Sequence, residues 1–519
     1  MKKILAFRFL PIAWLLFVVL LLALLLRPGL YHLDPDLGWH LKIGRDTWLA
    51  KELPNDQIHL WTIPGATWVD HEWLTNAGMY LLYERWGYTG LNITFALIVL
   101  TAFLLIARHL KKIYPRADYF IMALLLLGYL AVLPHLGPRP QFITLLFLTL
   151  EFLILYQTAR WHRFKTILLL GLFFWVWASL HAGFLIGLAV LALWAGEQII
   201  MGWRRQAPKQ FWLGLQAGCL SLVVTFLTPY GFKLYDFLGT YANTAYLKHI
   251  SEWKPFYLFP IYYWQILFIA IVIAMIISLF SFKEKKLYLR PWQWLSLLMF
   301  LGLALKSVRH FPLFFAVASL TIIPIFLRQN MAGSTGLSLP RWAGRTLKIF
   351  LFSVLLILNI MSWWSLPRLG DPWQSFCGDY PCQAARQLQA DPRYSQLKLF
   401  NKYDFGGWLI WVWPDKQLFI DGRMPQYPFA GQTLLEEYLE FTRPNTLAAK
   451  LKAYDIEAIL WSNHPMQYQL NWLDKLLGFQ DEYINGRHNY LQEWLEASPD
   501  WKKVFTDEAG SVYIRKDKL

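Results

Sequence analysis

Apolar residues fall along this chain in long blocks separated by short polar breaks. The blocks run to roughly 17–20 residues, the length of helix that crosses a hydrocarbon core of about 30 Å. They lie at 9–26, 91–107, 119–134, 141–157, 166–178, 183–200, 211–227, 264–281, 291–305, 311–327 and 347–363. The pattern predicts a polytopic α-helical membrane protein with about eleven spans. A membrane region at 1–364 is followed by a smaller unit at 365–519 with short strand-like runs.

Composition agrees: of 519 residues, 56% are hydrophobic and 18% aromatic, more apolar material than one soluble core absorbs. Charge then predicts orientation. Basic clusters sit before the first block (Lys2, Lys3, Arg8) and after the second (Arg108, Lys111, Lys112, Arg116). They recur at Arg160, Arg163 and Lys165; at Arg204, Arg205 and Lys209; at Lys283, Lys285, Lys286 and Arg290; and at Arg328, Arg341, Arg345 and Lys348. Every second connection is thus short and basic, as the positive-inside rule expects of cytoplasmic loops. An N-terminus inside and an odd number of spans put 365–519 outside. That segment carries a net charge of −3, so of the chain's net +15 the membrane half holds +18. The basic balance therefore suits anionic headgroups and not nucleic acid. The first block is followed by Arg27-Pro28-Gly29 with no small-residue cleavage site, and reads as a retained anchor.

No Gly-rich phosphate loop or Rossmann fingerprint occurs in the predicted cytoplasmic loops, so the chemistry is expected on the outer face. The connection at 28–88 is far longer than usual and so a candidate for function. It opens with Asp34-Pro35-Asp36 and closes with Asp70-His71-Glu72. Leu37, Leu41, Gly44 and Trp48 keep helical spacing, predicting a short helix in the membrane interface. A second helix is expected at 79–86. Other outer connections bring Arg139, His181, Tyr230, Glu252, Lys306, Arg309 and His310. Within 365–519 the pattern predicts a small α/β unit. Two strands are expected within 397–413, one each at 417–420 and 458–461, a helix at 447–454, and a hairpin from 503–505 and 512–515. Cys219 lies in a block and is expected to pack. Cys377 and Cys382 lie where oxidation is allowed, and could form a disulfide or remain free.

A carboxylate loop facing cationic span ends suits one reaction well. A hydroxyl attacking an anomeric carbon needs a general base, and a departing lipid phosphate needs fixed cations. Asp36 is the candidate base, with Asp34, His71 and Glu72 beside it. Arg139, His181, Tyr230, Lys306, Arg309, His310 and Asp70 are candidate substrate contacts.

The order Asp36, Arg45, Leu53-Pro54, His71-Glu72-Trp73-Leu74 and Gly87 resembles the first outer loop of the GT-C superfamily of polyprenyl-phosphate-dependent glycosyltransferases, such as the protein O-mannosyltransferases and aminoarabinose transferases. Glu72-Trp73 stands where those enzymes have Pro-Pro, which marks a divergent branch. The resemblance implies a GT-C-like fold, Asp36 as the catalytic Asp, a polyprenyl-phosphate sugar donor, and a glycan, lipid or protein acceptor. Over nearly its full length, including Arg139, His181, Pro229-Tyr230-Gly231, Arg309 and Asp421-Gly422-Arg423, the chain also resembles a widespread bacterial group of multispan proteins. That implies the bacterial plasma membrane. Asp34-Pro35-Asp36 has the Asp-x-Asp form that contributes to a metal site in oligosaccharyltransferase catalytic subunits, so a divalent cation is an alternative there.

Plainer structural roles stand beside these. Asp34 or Asp36 could cap the loop helix, Arg139 and Arg309 could snorkel to headgroups, and Asp421-Gly422-Arg423 could be a turn with a local ion pair. Glu151, inside a block, fits none of these roles. A glycolipid transporter or a non-catalytic cell-envelope assembly protein are the alternative functions.

Overall fold

The computed structural model describes residues 2–54, 59–241, 246–255, 263–281, 289–330, 341–367, 371–463, 475–476 and 489–519; Lys283, Lys285 and Lys286 of the fifth basic cluster lie outside them. Each of the eleven apolar blocks falls on a helix. In chain order the helices of the membrane half are α1 (Lys2–Tyr31), α2 (Leu37–Ala50), α3 (Trp73–Ile113), α4 (Asp118–Val132), α5 (Gln141–Gln157), α6 (Arg163–Leu180), α7 (Phe184–Arg204), α8 (Pro208–Thr225), α9 (Phe232–Thr240), α10 (Tyr263–Ser281), α11 (Pro291–Lys306), α12 (Phe311–Asn330) and α13 (Arg341–Trp364). Seven helices, α1 and α3 to α7 together with α12, are long and apolar enough to cross a membrane. Among the other expected spans, α10 and α13 offer shorter apolar stretches. The protein is a helical membrane protein with a small mixed sheet toward its C-terminus.

The apolar helices leave few polar atoms to join them, and those present are used. Asn92 Nδ2 of α3 donates to Leu26 O of α1 at 2.9 Å, and Asn359 Nδ2 of α13 donates to Leu16 O at 2.9 Å. Such bonds fasten helices where the hydrophobic effect between them is weak. Helix α3 is broken at Gly87, whose φ of 63° and ψ of −168° are not helical. Only glycine takes that conformation without strain. The break separates the segment starting at Trp73 from the span proper, in keeping with a separate helix before the second span.

The expected interface helix exists as α2, but it does not lie open in the headgroups. Its residues from Leu37 to Gly44 are buried. Glycine explains the depth. A Cβ at Gly44 would meet Asn76 O of α3 at 2.0 Å, so the two helices touch backbone to backbone on that side.

The C-terminal region contributes α14 (Pro372–Ser375), α15 (Cys382–Ala390), α16 (Gly406–Val412), α17 (Leu434–Glu440) and α18 (Leu447–Ala453). Its strands are β1 (Leu399–Asn401), β2 (Pro428–Phe429), β3 (Gln432–Thr433), β4 (Ala458–Ser462), β5 (Trp501–Thr506) and β6 (Gly510–Arg515). Four of them form a mixed sheet in the order β1-β4-β6-β5, with β1 parallel to β4 and the other pairs antiparallel. The terminal hairpin and the helix near 447–454 form where the sequence places them. The second strand within 397–413 does not: residues 406–412 are helical. A continuous apolar run such as Trp408-Leu409-Ile410-Trp411-Val412 has no period that separates strand from buried helix. Packing decides it. A Cβ at Gly406 would meet Ile420 O at 2.5 Å and one at Gly407 would meet Pro35 O at 2.2 Å, so α16 is wedged between the 417–420 segment and the start of α2.

The 28–88 connection is joined to the C-terminal region by backbone as well. Leu418 N donates to His59 O at 2.8 Å and Trp61 N to Leu418 O at 3.0 Å, an isolated parallel bridge. Thr62 Oγ1 adds a bond to Phe419 O at 2.8 Å. Cys377 and Cys382 are joined in a disulfide at the start of α15.

Candidate active site

The up-and-down helices deliver one end of each to the same face as α2. Asp34 and Asp36 follow α1, and Asp70, His71 and Glu72 precede α3. Arg139 precedes α5, His181 links α6 to α7, and Arg309 lies between α11 and α12.

Two arginines and two carboxylates form a chain of ion pairs across this face. The Arg139 guanidinium pairs with both Asp34 and Glu252. The second oxygen of Glu252 receives Arg309 Nη1 at 3.3 Å, and the Arg309 guanidinium lies over the Trp253 ring, 5.2 Å from its centroid. Glu252 is thus held between two cations, which bring its carboxyl down to about 2 against the opposing effect of its burial. Arg139 is driven in the other direction: its acidic partners outweigh burial and raise it further above its usual value.

Asp36 sits beside this chain with a different role. Its carboxylate makes no helix-capping bond; Asp34 Oδ1 takes the Asp36 amide at 2.8 Å instead. Among the described residues its hydrogen-bond donor is Trp39 Nε1, at 2.9 Å to Oδ1. The residue is only half-buried to solvent, yet protein surrounds the carboxyl. That burial, reinforced by the neighbouring Asp34, pushes it up to about 7, opposed by Trp39 and Arg139. Close above it lies the C-terminal region. A Cβ at Gly422 would meet Asp36 Oδ1 at 2.0 Å, so the Asp421-Gly422-Arg423 turn forms one wall. Within that turn Arg423 Nη2 and Asp421 Oδ2 pair at 2.6 Å, both buried. The turn combines a local ion pair with a place in the site.

Three histidines gather around Glu72. His40 Nδ1 and His71 Nε2 each lie 3.8 Å from Glu72 Oε1, and His181 Nε2 lies 3.9 Å from Oε2. Asp70 supports the group by accepting two bonds from Asn76 Nδ2, both at 2.9 Å, while His40 Nδ1 meets Asn76 Oδ1 at 2.6 Å. Burial dominates here. It lowers His40 and His71 to about 4 and holds His181 well below its usual value, and raises Glu72 well above its usual range and Asp70 to about 6. Burial thus disfavours the charged form of all three imidazoles, whereas Arg139 and Arg309 are the cations of the ion-pair chain.

The remaining expected residues stand further out. Tyr230 donates its hydroxyl to Pro54 O at 2.9 Å and so pins the long connection. The His310 ring packs on Trp253 with centroids 5.6 Å apart. Lys306 is exposed and, among the described residues, joins no ion pair of the chain. Nor is any group of three or more His, Cys, Asp or Glu side chains among the described residues arranged to hold a metal ion, and Asp34 is already engaged by Arg139. Sequence reasoning did not single out His40, Asn76 or Gly422, and gave Glu252 no role. Glu252 carried the one available signal, an acid within a predicted outer connection rich in His, Lys and Trp.

No protein family matches the chain at the level of sequence, and no curated protein does. Among solved structures, the apo form of the Archaeoglobus fulgidus oligosaccharyltransferase is similar at a TM-score of 0.48 and 12% identity, over 87% of this chain and 69% of that chain.

Proposed function

We propose that this chain is a glycosyltransferase of the bacterial plasma membrane. It moves a sugar from a polyprenyl-phosphate donor to an extracytoplasmic glycan, lipid or protein. One observation carries the reading: Arg139 and Arg309, from separate parts of the sequence, are bridged by one carboxylate, Glu252, and Asp36 lies within electrostatic reach of that chain beside Asp34. Two guanidiniums holding one anion are suited to hold phosphate oxygens. A carboxyl near pH 7 in its proton affinity, with one hydrogen-bond donor, is suited to accept a proton from a hydroxyl.

In this scheme the acceptor hydroxyl gives its proton to Asp36 as its oxygen bonds the anomeric carbon. The bond from that carbon to the phosphate oxygen breaks on the opposite face, inverting the sugar. Arg139 and Arg309 take up the charge left on the phosphate. The site lies at span ends, where a lipid-borne donor arrives sideways. The basic residues Arg108, Lys111 and Lys112, at the far end of α3 from Trp73, support a cytoplasmic N-terminus and an outer site.

The test is Asp36→Asn in proteoliposomes with a radiolabelled polyprenyl-phosphate hexose and envelope extract as acceptor. Loss of the base is expected to slow transfer by roughly 10²–10⁴-fold. An undiminished rate would eliminate Asp36 as the base.

A further inference from the structure

A cavity away from the ion-pair chain is lined by residues of α14, α15 and α16. Its volume is about 260 Å³, and its lining includes Trp373, Trp408, Trp411 and Trp413, with Arg386 and Gln389 of α15 at its edge. Helix α15 starts at the disulfide, and Trp373 is fixed by donating Nε1 to Tyr83 OH at 2.8 Å. The Trp373 and Trp411 rings stack with centroids 5.7 Å apart, and Arg45 lies over the Trp411 ring at 5.3 Å. These contacts make the walls rigid.

The indole and guanidinium groups that line the cavity are donors, and Gln389 adds one amide donor and one amide acceptor. The indole N–H groups of Trp408, Trp411 and Trp413 meet no acceptor among the described residues, and none is sealed from solvent. Arg386 and Gln389 are exposed and likewise have no partner there. Indoles and guanidinium donate and do not accept. A complementary ligand must therefore be rich in acceptors, carry negative charge for Arg386, and present C–H groups to the negative faces of aromatic rings. A pyranose with a carboxylate meets all three requirements. The volume is below the roughly 300–1,000 Å³ typical of sites for extended ligands, which suits one sugar ring and not a polyprenyl chain.

We infer that this cavity binds an acidic pyranosyl residue of a glycan, a uronic acid in chemical class. Arg386 pairs with its carboxylate, Gln389 and the indole N–H groups donate to its hydroxyl oxygens, and the indole walls, Trp411 among them, meet its C–H groups. The inference is independent of Asp36, because its readout is binding and not transfer.

The full-length protein in detergent would be titrated by calorimetry with a trigalacturonate, with cellotriose as the neutral control. Trigalacturonate is expected to bind, at least tenfold more tightly than cellotriose. Arg386→Gln, at an exposed residue with no partner to lose, is expected to weaken it roughly tenfold. Trp411→Ala should weaken it as well, with unaltered melting required before that result is read. Absence of trigalacturonate binding, equal binding of cellotriose, or unchanged affinity in Arg386→Gln would each overturn the proposal. Asp36→Asn should bind the probe as the unmodified chain does, whatever becomes of its transfer rate.

Discussion

At the scale of single residues, the site depends on how differently burial acts on neighbouring acids. Glu252 is buried between two cations and titrates near 2, while Asp36 is enclosed with one donor and titrates near 7. As a base, Asp36 must be ionised. Transfer should therefore rise about tenfold from pH 6 toward a plateau above 7, measured at saturating donor. Stability runs the other way. A carboxyl whose folded value is raised contributes stability that is complete below the unfolded value of 3.8 and is lost as pH rises through about 7. Melting curves should thus show Asp36→Asn gaining on the unmodified chain between pH 5 and pH 8. A parallel pH dependence of the two would contradict the assignment. At this scale the sequence revealed those residues whose type alone suggests chemistry at a span end, such as Asp36, Arg139 and His181. It did not reveal Asn76 or Gly422, because an amide and a glycine gain their roles only from what the fold sets against them.

Among elements, glycines do what the hydrophobic pattern cannot show. The eleven apolar blocks were legible because a bilayer imposes length and continuity on every span. The helix at 406–412 was not, since its run is continuously apolar and shows no period. Its placement rests on Gly407, where a Cβ would meet Pro35 O at 2.2 Å and Trp39 Cδ1 at 3.0 Å. Backbone has no rotamer by which to yield, so Gly407→Ala should push α16 off α2 at a cost of about 1–3 kcal/mol. The transfer rate should fall with it, because the same helix leads into the wall over Asp36. The same substitution at Gly378, which has open space around it, is the control and should leave both unchanged. An equal melting temperature for both variants would refute close packing at Gly407.

For the whole molecule, the long first connection and the C-terminal region act as one cover over the bundle end. The bridge between Leu418 and residues 59–61 joins them through main-chain bonds. Leu418→Pro removes the N–H that reaches His59 O. It should cost about 1–3 kcal/mol and speed amide hydrogen exchange at Trp61, with little change in α4 to α7. Unaltered exchange at Trp61 would show that the bridge does not hold the cover. The sequence indicated both parts of this cover but not their joining, which depends on residues hundreds of positions apart.

That separation has a consequence for how the protein is made. Thr62 and Phe419, which bond across the cover, are 357 residues apart. At a synthesis rate of roughly 5–20 residues per second, Asp36 leaves the ribosome on the order of tens of seconds before Gly422. Throughout that interval the membrane half is inserted with its carboxylate loop lacking its wall. The wall over Asp36 can therefore form only once Gly422 has been made and lies on the same side as the carboxylate loop, so the environment of Asp36 is set late in synthesis.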